Sequence, residues 1–433
     1  MIRSLRFENF RSFQCATLPL STLTLLVGPN ASGKSNAREG VQVLSWIAQG
    51  RRLDEIMRSL REREIGVRGR FSDLGFRDAK RVGFTVIVDE YLMQEWSIEL
   101  AVDNAGMRVA AESLRVPYEA VPLFQVHQPA SGLQHDITIA YNNFKRGGKK
   151  PTIPGTDLQA VLTQLGTPAA FRHQDRLSMA KIPSAVRRVS EALAEVVLLD
   201  PNPHAMRGES FVEDVVLRPD GANVSSVLFH LCQSPTGKDA ILRFLKKLPE
   251  RDIADIAFIE SARQQVIVQV RETFIPGGEL RDASLLSDGT LRVLAIAAAV
   301  LSAPEGALVV IEEIDNGVHP SRARLLLENM HRVAKERSLS LLITSHNPAL
   351  ADALPTEAIP DVVYCHRDPE TGASVLTRLS DLEDYPRLVA QGPLGDLLTR
   401  EVIDRFVKHP RTSEAKQEAA RAWLASLGSE GSA

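Results

Sequence analysis

The chain has 433 residues, 44% hydrophobic and 24% charged, with a formal net charge of −3 at pH 7. That length admits one large domain with insertions or two to three smaller ones, and the composition excludes a disordered chain and a globally basic nucleic-acid binder. Three widely spaced cysteines, Cys15, Cys232 and Cys365, form no C-x-x-C pair, which excludes a disulfide framework or zinc ribbon and suits a reducing compartment.

The opening MIRSLRFENFRSF is too polar for a signal peptide, and the longest apolar run, Leu291 to Leu301, is too short to span a bilayer. A cytoplasmic protein with no membrane partner is expected. Leu23 to Val27 reads as a strand and leads into Gly28-Pro-Asn-Ala-Ser-Gly33-Lys34-Ser35, which fits G-x-x-x-x-G-K-[ST]; a helix is predicted over Asn36 to Ala48. The chemistry requires this order. Glycines let backbone N–H groups turn toward phosphates, and the helix adds its positive end. Lys34 supplies a cation for the β- and γ-phosphates, and Ser35 supplies a hydroxyl for Mg²⁺. The expected nucleotide contacts are Gly28, Asn30, Ala31, Ser32, Gly33, Lys34, Ser35 and Asn36.

Arg51 to Arg81 carries ten Arg/Lys against six Asp/Glu, and Lys145-Arg146 with Lys149-Lys150 forms a second basic concentration. Both read first as solvated faces, and as local patches through which nucleic acid can be held. Arg81 to Tyr141 shows repeated strand-like runs and predicts an antiparallel subdomain. Asn143 to Thr156 reads as an exposed loop. Asp157 to Leu199 and Asn223 to Leu248 carry helical periodicity, and the chain is expected to re-enter the first domain near Ile253. Recurrent prolines and the lack of heptads exclude a long coiled coil.

Leu285 to Leu301 opens on Ser287-Asp288-Gly289-Thr290, a polar turn before an apolar helix. As sequence alone it reads as a helix cap. Ala307 to Ile311 is a continuous apolar strand that ends in Glu312-Glu313, the Walker B arrangement: Glu312 supports Mg²⁺ and Glu313 polarises the attacking water. Leu339 to Thr344 is a third such strand and delivers His346 to the same edge, within reach of a γ-phosphate. Two strands, Asp361 to His366 and Ala373 to Leu379, and a helical tail follow. Asp381, Glu383 and Asp384 read as a loop. No H-x-x-H, HNH-like or Toprim pattern supports an intrinsic nuclease.

The phosphate loop, LSDGT, the acidic strand and the histidine strand, in this order, resemble an ABC-type ATPase head in which LSDGT is a variant of the LSGGQ signature. The resemblance is closer to the SMC/RecF/OLD-like branch, the AAA-type ATPases of bacterial defence and repair operons. LRFENFRSF, LLSDGTLRVLAI and IEEIDNGVHP carry it, covering Met1 to about Trp46 and Ser284 to about Ala351. It implies an α/β fold: a P-loop ABC-type ATPase head with an antiparallel β subdomain and a helical insertion between Walker A and signature. The boundaries expected are 1–142, 143–252 (insertion), 253–400 and 401–433 (helical tail). It also implies that ATP and Mg²⁺ are bound, and that two copies sandwich ATP, with Ser287, Asp288 and Gly289 of one copy reaching the γ-phosphate on the other. Asp288 departs from the second glycine of LSGGQ. Asp315 and Asn316 fall where such heads place a D-loop, and His319 reads as structural; a Q-loop glutamine is also implied, with Gln42, Gln49 and Gln94 as candidates. A separate effector, for example a nuclease, is the implied partner. A transporter's nucleotide-binding subunit and an ATP-gated scaffold with little turnover are the rival readings; the long insertion and NFRSF speak against the first.

Overall fold

A computed structural model of the chain describes residues 1–408 apart from 57, 59–66, 69–70, 89–92, 104–105, 132–133, 247–252, 273–277 and 316–319. Asn316, His319 and the tail beyond 408 therefore lie outside the described residues, as does part of the basic stretch 51–81.

In chain order the strands are β1 (Ile2–Phe10), β2 (Phe13–Pro19), β3 (Leu23–Val27), β4 (Arg81–Val88), β5 (Gln94–Asp103) and β6 (Gly106–Arg115). There follow β7 (Phe124–Gln128), β8 (Asp136–Tyr141), β9 (Thr152–Thr156), β10 (Val197–Leu199), β11 (Ser210–Phe211) and β12 (Ile253–Glu260). The last are β13 (Gln265–Glu272), β14 (Leu280–Asp282), β15 (Leu308–Ile311), β16 (Ser340–Thr344), β17 (Val363–Arg367) and β18 (Ser374–Arg378). They form an eight-stranded antiparallel sheet of order β2-β1-β4-β5-β6-β7-β8-β9, a six-stranded sheet of order β10-β15-β16-β3-β17-β18, and a smaller sheet joining β11, β13, β12 and β14.

The six-stranded sheet positions the site. Every residue of β3 (LTLLV), β15 (LVVI) and β16 (SLLIT) is buried, as expected for parallel strands covered on both faces. β10, β15, β16, β3 and β17 run parallel and β18 closes the edge antiparallel. Consequently β16 lies between β15 and β3, and the residues that follow these strands emerge side by side at one edge, where open α/β sheets bind ligands. The helix Lys34–Ala48 packs against the helix Arg176–Ala194, and both belong to one core with the aromatic residues Phe7, Phe13, Phe84 and Trp96. A second core joins Leu25 and Ile311 to the helices Val224–Cys232, Asp288–Ser302 and Pro320–Glu336.

A buried carboxylate helps tie the antiparallel subdomain to the chain that follows. Glu112 on β6 is 3% exposed and accepts from Trp96 Nε1 at 2.9 Å and from the backbone N–H groups of Val161 and Leu162, both at 2.7 Å. Removing it leaves three buried donors without their acceptor, at about 1–3 kcal/mol each.

The helices expected after residue 157 are present, and β12 begins at Ile253. Asn143 to Thr156 is not a loop throughout, because Thr152–Thr156 pairs with β8 as β9. Pro154 and Gly155 disguise the strand in sequence, and its place at the sheet edge is what tolerates a proline. The stretch 143–252 also supplies β10 to the six-stranded sheet and β11 to the smaller one. Among the described residues no helix is long and apolar enough to cross a membrane.

Candidate functional site

The loop after β3 has positive φ at Gly28 (151°), Ala31 (60°) and Gly33 (126°). A Cβ at Gly28 would fall 2.0 Å from the carbonyl oxygen of Cys365 on β17, and one at Gly33 would fall 2.4 Å from Ser374 Oγ on β18. Only glycine allows the loop to lie so close on these strands. Asn30 and Ala31 are exposed, Ser32 is buried, and Ser35 and Asn36 are half-buried. Lys34 is 4% exposed and its Nζ donates to the carbonyls of Gly28 (2.5 Å) and Pro29 (2.9 Å), folding back over the loop. Burial lowers its pKa from the usual lysine value, opposed by electrostatic interaction with Cys365 and Glu313.

The NFRSF opening braces this loop. Ser12 Oγ accepts from Asn36 Nδ2 at 2.6 Å and donates to Ser374 Oγ at 2.7 Å, and the Ser374 hydroxyl donates to the Ser32 carbonyl. Asn36, expected as a nucleotide contact, thus turns its amide to Ser12.

The two carboxylates after β15 are separated by their surroundings. Glu312 Oε1 lies 2.5 Å from Arg38 Nε, both groups largely shielded. Burial raises its pKa above the usual carboxylate value; Asp200 and Glu313 add to this and Arg38 opposes it. Glu313 has φ of 46°, a conformation that costs a non-glycine residue about 1–3 kcal/mol and clusters at functional sites. Its N–H donates to Thr344 Oγ1 at 3.3 Å, and its Oε1 stands 3.5 Å from Nε2 of His346. Each side chain is nearly half exposed, so the pair faces solvent. Ser35 and Glu312 offer oxygen donors, the hard ligand type that suits Mg²⁺.

Beside Gly28 and Pro29 opens a cavity of about 410 Å³, reached also by His346, Tyr364, Glu401 and Asp404. Tyr364 OH donates to Asp404 Oδ1 at 3.0 Å, which fixes the helix Val402–Lys408 to β17.

The Ser-Asp-Gly-Thr turn opens the helix Asp288–Ser302. Ser287 is its N-cap and accepts from the Thr290 N–H at 3.3 Å, so the capping expectation holds for the serine. Asp288 does not cap; its Oδ1 is 2.5 Å from Nη2 of Arg207. Gly289 is half-buried in the first turn. Lys34, Glu312, Glu313 and His346 therefore gather at adjacent strand ends, and the turn 287–290 is held by a different set of contacts. Sequence reasoning missed Arg38, Asp200 and Arg207. For Arg38 a signal existed, since it lies one helical turn after Lys34 on the same helix face.

A phosphate-loop motif after β3, two carboxylates after β15, a histidine after β16 and a capped helix N-terminus are arranged as in an ABC-type ATPase head. Within that class its similarity is to ATPases of the SMC/RecF branch. Residues 166–352 match the AAA_21 family model, described as "AAA domain, putative AbiEii toxin, Type IV TA system"; the match spans the turn 287–290, Glu312, Glu313 and His346. The chain is 36% identical over 121 residues to the DNA replication and repair protein RecF of Gloeobacter violaceus, a match that spans 28% of this chain and 28% of that protein. It is 21% identical over 379 residues to an ATP/GTP phosphatase of Helicobacter pylori, covering 85% of this chain and 90% of that one. Among solved structures, the SMC head domain from Thermotoga maritima aligns with a TM-score of 0.43 and 14% identity over 87% of this chain and 98% of that chain.

Proposed function

We propose that the protein is a Mg-ATP-driven switch in which two copies join around ATP and part after hydrolysis. The observation that carries this reading is the opposition of Glu313 and His346 beside Lys34 at the ends of adjacent strands. The loop N–H groups and Lys34 hold the triphosphate, with Lys34 exchanging the Gly28 and Pro29 carbonyls for phosphate oxygens. Ser35 and Glu312 are the residues to hold Mg²⁺, which when bound neutralises charge on the phosphates. Glu313 takes the proton of the attacking water as its oxygen bonds to the γ-phosphorus; the bond to the bridging oxygen breaks and ADP departs. His346 orients Glu313 and contacts the γ-phosphate. Ser287, Asp288 and Gly289 act from the other copy, offering a helix N-terminus to the same phosphate.

The Helicobacter relative, named an ATP/GTP phosphatase, supports hydrolysis. The RecF relative and the AAA_21 description support a role in DNA repair or in defence; the separate effector is part of the proposal alone.

The test combines size and chemistry in one preparation. Light scattering of Glu313→Gln with and without Mg-ATP should show a dimer that forms only with nucleotide, and the wild type should release phosphate. Nucleotide-bound monomers at every concentration would defeat the sandwich. A wild type that releases no phosphate would defeat the hydrolysis.

A further inference from the structure

The turn 287–290 carries a carboxylate where an anion is to be received. Asp288 is the first residue of a 15-residue helix, and its side chain is 65% exposed. In that position an acid favours the helix but competes with any phosphate approaching the same N–H groups.

One residue answers this conflict. Arg207 caps the C-terminal end of the short helix Pro203–Met206. Its Nη1 donates to the carbonyls of Leu286 (2.6 Å), Ser284 (3.0 Å) and Ala283 (3.4 Å), and its Nη2 donates to Asp288 Oδ1 (2.5 Å). The three carbonyls belong to the turn that leads into the helix, so a single guanidinium fixes the approach of the chain and neutralises the acid at its entrance. A planar fork of five donors does both at once; the single ammonium of lysine lacks that geometry.

We propose that Arg207 is a positioning residue of the signature turn: by pairing with Asp288 it draws the carboxylate aside and cancels its charge, so that the helix N-terminus can accept the γ-phosphate held by a second copy of the chain. This rests on the ATP sandwich proposed above. It gives Asp288 a defined place: the acid departs from the glycine usual there because its counter-ion is built into the same fold.

The alternative is a clamp that merely stabilises the turn, and charge rescue separates the two. The protein is studied as the full chain in the Glu313→Gln background, by ATP-driven dimerisation in light scattering and by titration with a fluorescent ATP analogue. Arg207→Ala should bind the analogue with parental affinity and dimerise about tenfold more weakly, the scale of an uncompensated charge at a helix N-terminus. Adding Asp288→Gly removes that charge and should restore dimerisation to within about threefold of the parent. A double variant as defective as Arg207→Ala would reduce Arg207 to a clamp, and an Arg207→Ala that dimerises normally would remove any role. Should the alanine variant not fold, Arg207→Gln with and without Asp288→Asn carries the same expectations. Failure of the sandwich itself appears separately, as a parent that never dimerises with ATP.

Discussion

Glu313 and His346 face each other across the ends of two neighbouring strands, Oε1 to Nε2 at 3.5 Å, with the Glu313 backbone held at φ of 46° and donating to Thr344. The Glu313 carboxylate is nearly half exposed, whereas the Glu312–Arg38 pair is largely shielded. Glu313→Gln keeps the shape and loses the proton acceptor. Phosphate release should fall about 10²–10⁴-fold, and titration with a fluorescent ATP analogue should give unchanged affinity. Hydrolysis at the wild-type rate would remove Glu313 from the role of base.

Lys34 binds two carbonyls of its own loop at 2.5 and 2.9 Å. Lys34→Ala removes both the internal brace and the cation for phosphate. Calorimetric titration should show ATP affinity reduced beyond detection at micromolar protein, with the melting curve still cooperative. Retained affinity would rule out this loop as the phosphate cradle.

Arg38 is the cation nearest to Glu312, whose pKa burial already raises. In Arg38→Met the opposing influence is gone, so the pKa of Glu312 climbs further. The carboxylate must be ionised to hold Mg²⁺. The acid limb of the pH profile of kcat/KM should therefore move to higher pH than in the wild type, and added Mg²⁺ should move it back. A profile that does not move would detach Glu312 from metal binding.

Burial raises the pKa of Glu112 from 4.5 to about 7, against the three N–H groups that favour its charged form. The folded state then holds this proton more tightly than the unfolded chain does. Its contribution to stability is complete below pH 4.5 and is lost as pH rises through 7, about 3 kcal/mol at most. Chemical unfolding followed between pH 4.5 and 8 should show this fall, and Glu112→Gln, which cannot titrate, should lack it.

The basic loop offers Lys145, Arg146 and Lys149 to solvent, whereas Lys150 donates to Asn142, Asn143 and the Lys145 carbonyl. If this loop holds nucleic acid, binding weakens steeply with salt. Replacing the first three cations by alanine should reduce the slope of log K against log salt by about 3, roughly one for each phosphate left without its cation. An unchanged slope would assign the loop to solvent.

What was legible in the sequence followed from physical constraint. β3, β15 and β16 are read as strands because burial on both faces demands unbroken apolar runs, and the phosphate loop because glycine alone fits against Cys365 and Ser374. The pairing of Glu313 with His346 was anticipated only as a shared edge. What escaped is set by tertiary contact. Arg207 lies 81 residues before Asp288, and no local pattern marks it. β9 was hidden because the sheet edge permits the proline and glycine that signal a loop elsewhere.

Ser374 N–H donates to the Ser12 carbonyl at 2.7 Å, and its hydroxyl reaches both Ser12 and the Ser32 carbonyl, while Cys365 supplies the floor under Gly28. The phosphate loop is made early in synthesis, yet its floor and one wall are made late. A nascent chain that ends before β17 has the motif without the cradle. Nucleotide should therefore stabilise the growing polypeptide fully only once β18 has left the ribosome, because a chain cut short before β17 lacks the floor under Gly28 and the wall beside Gly33.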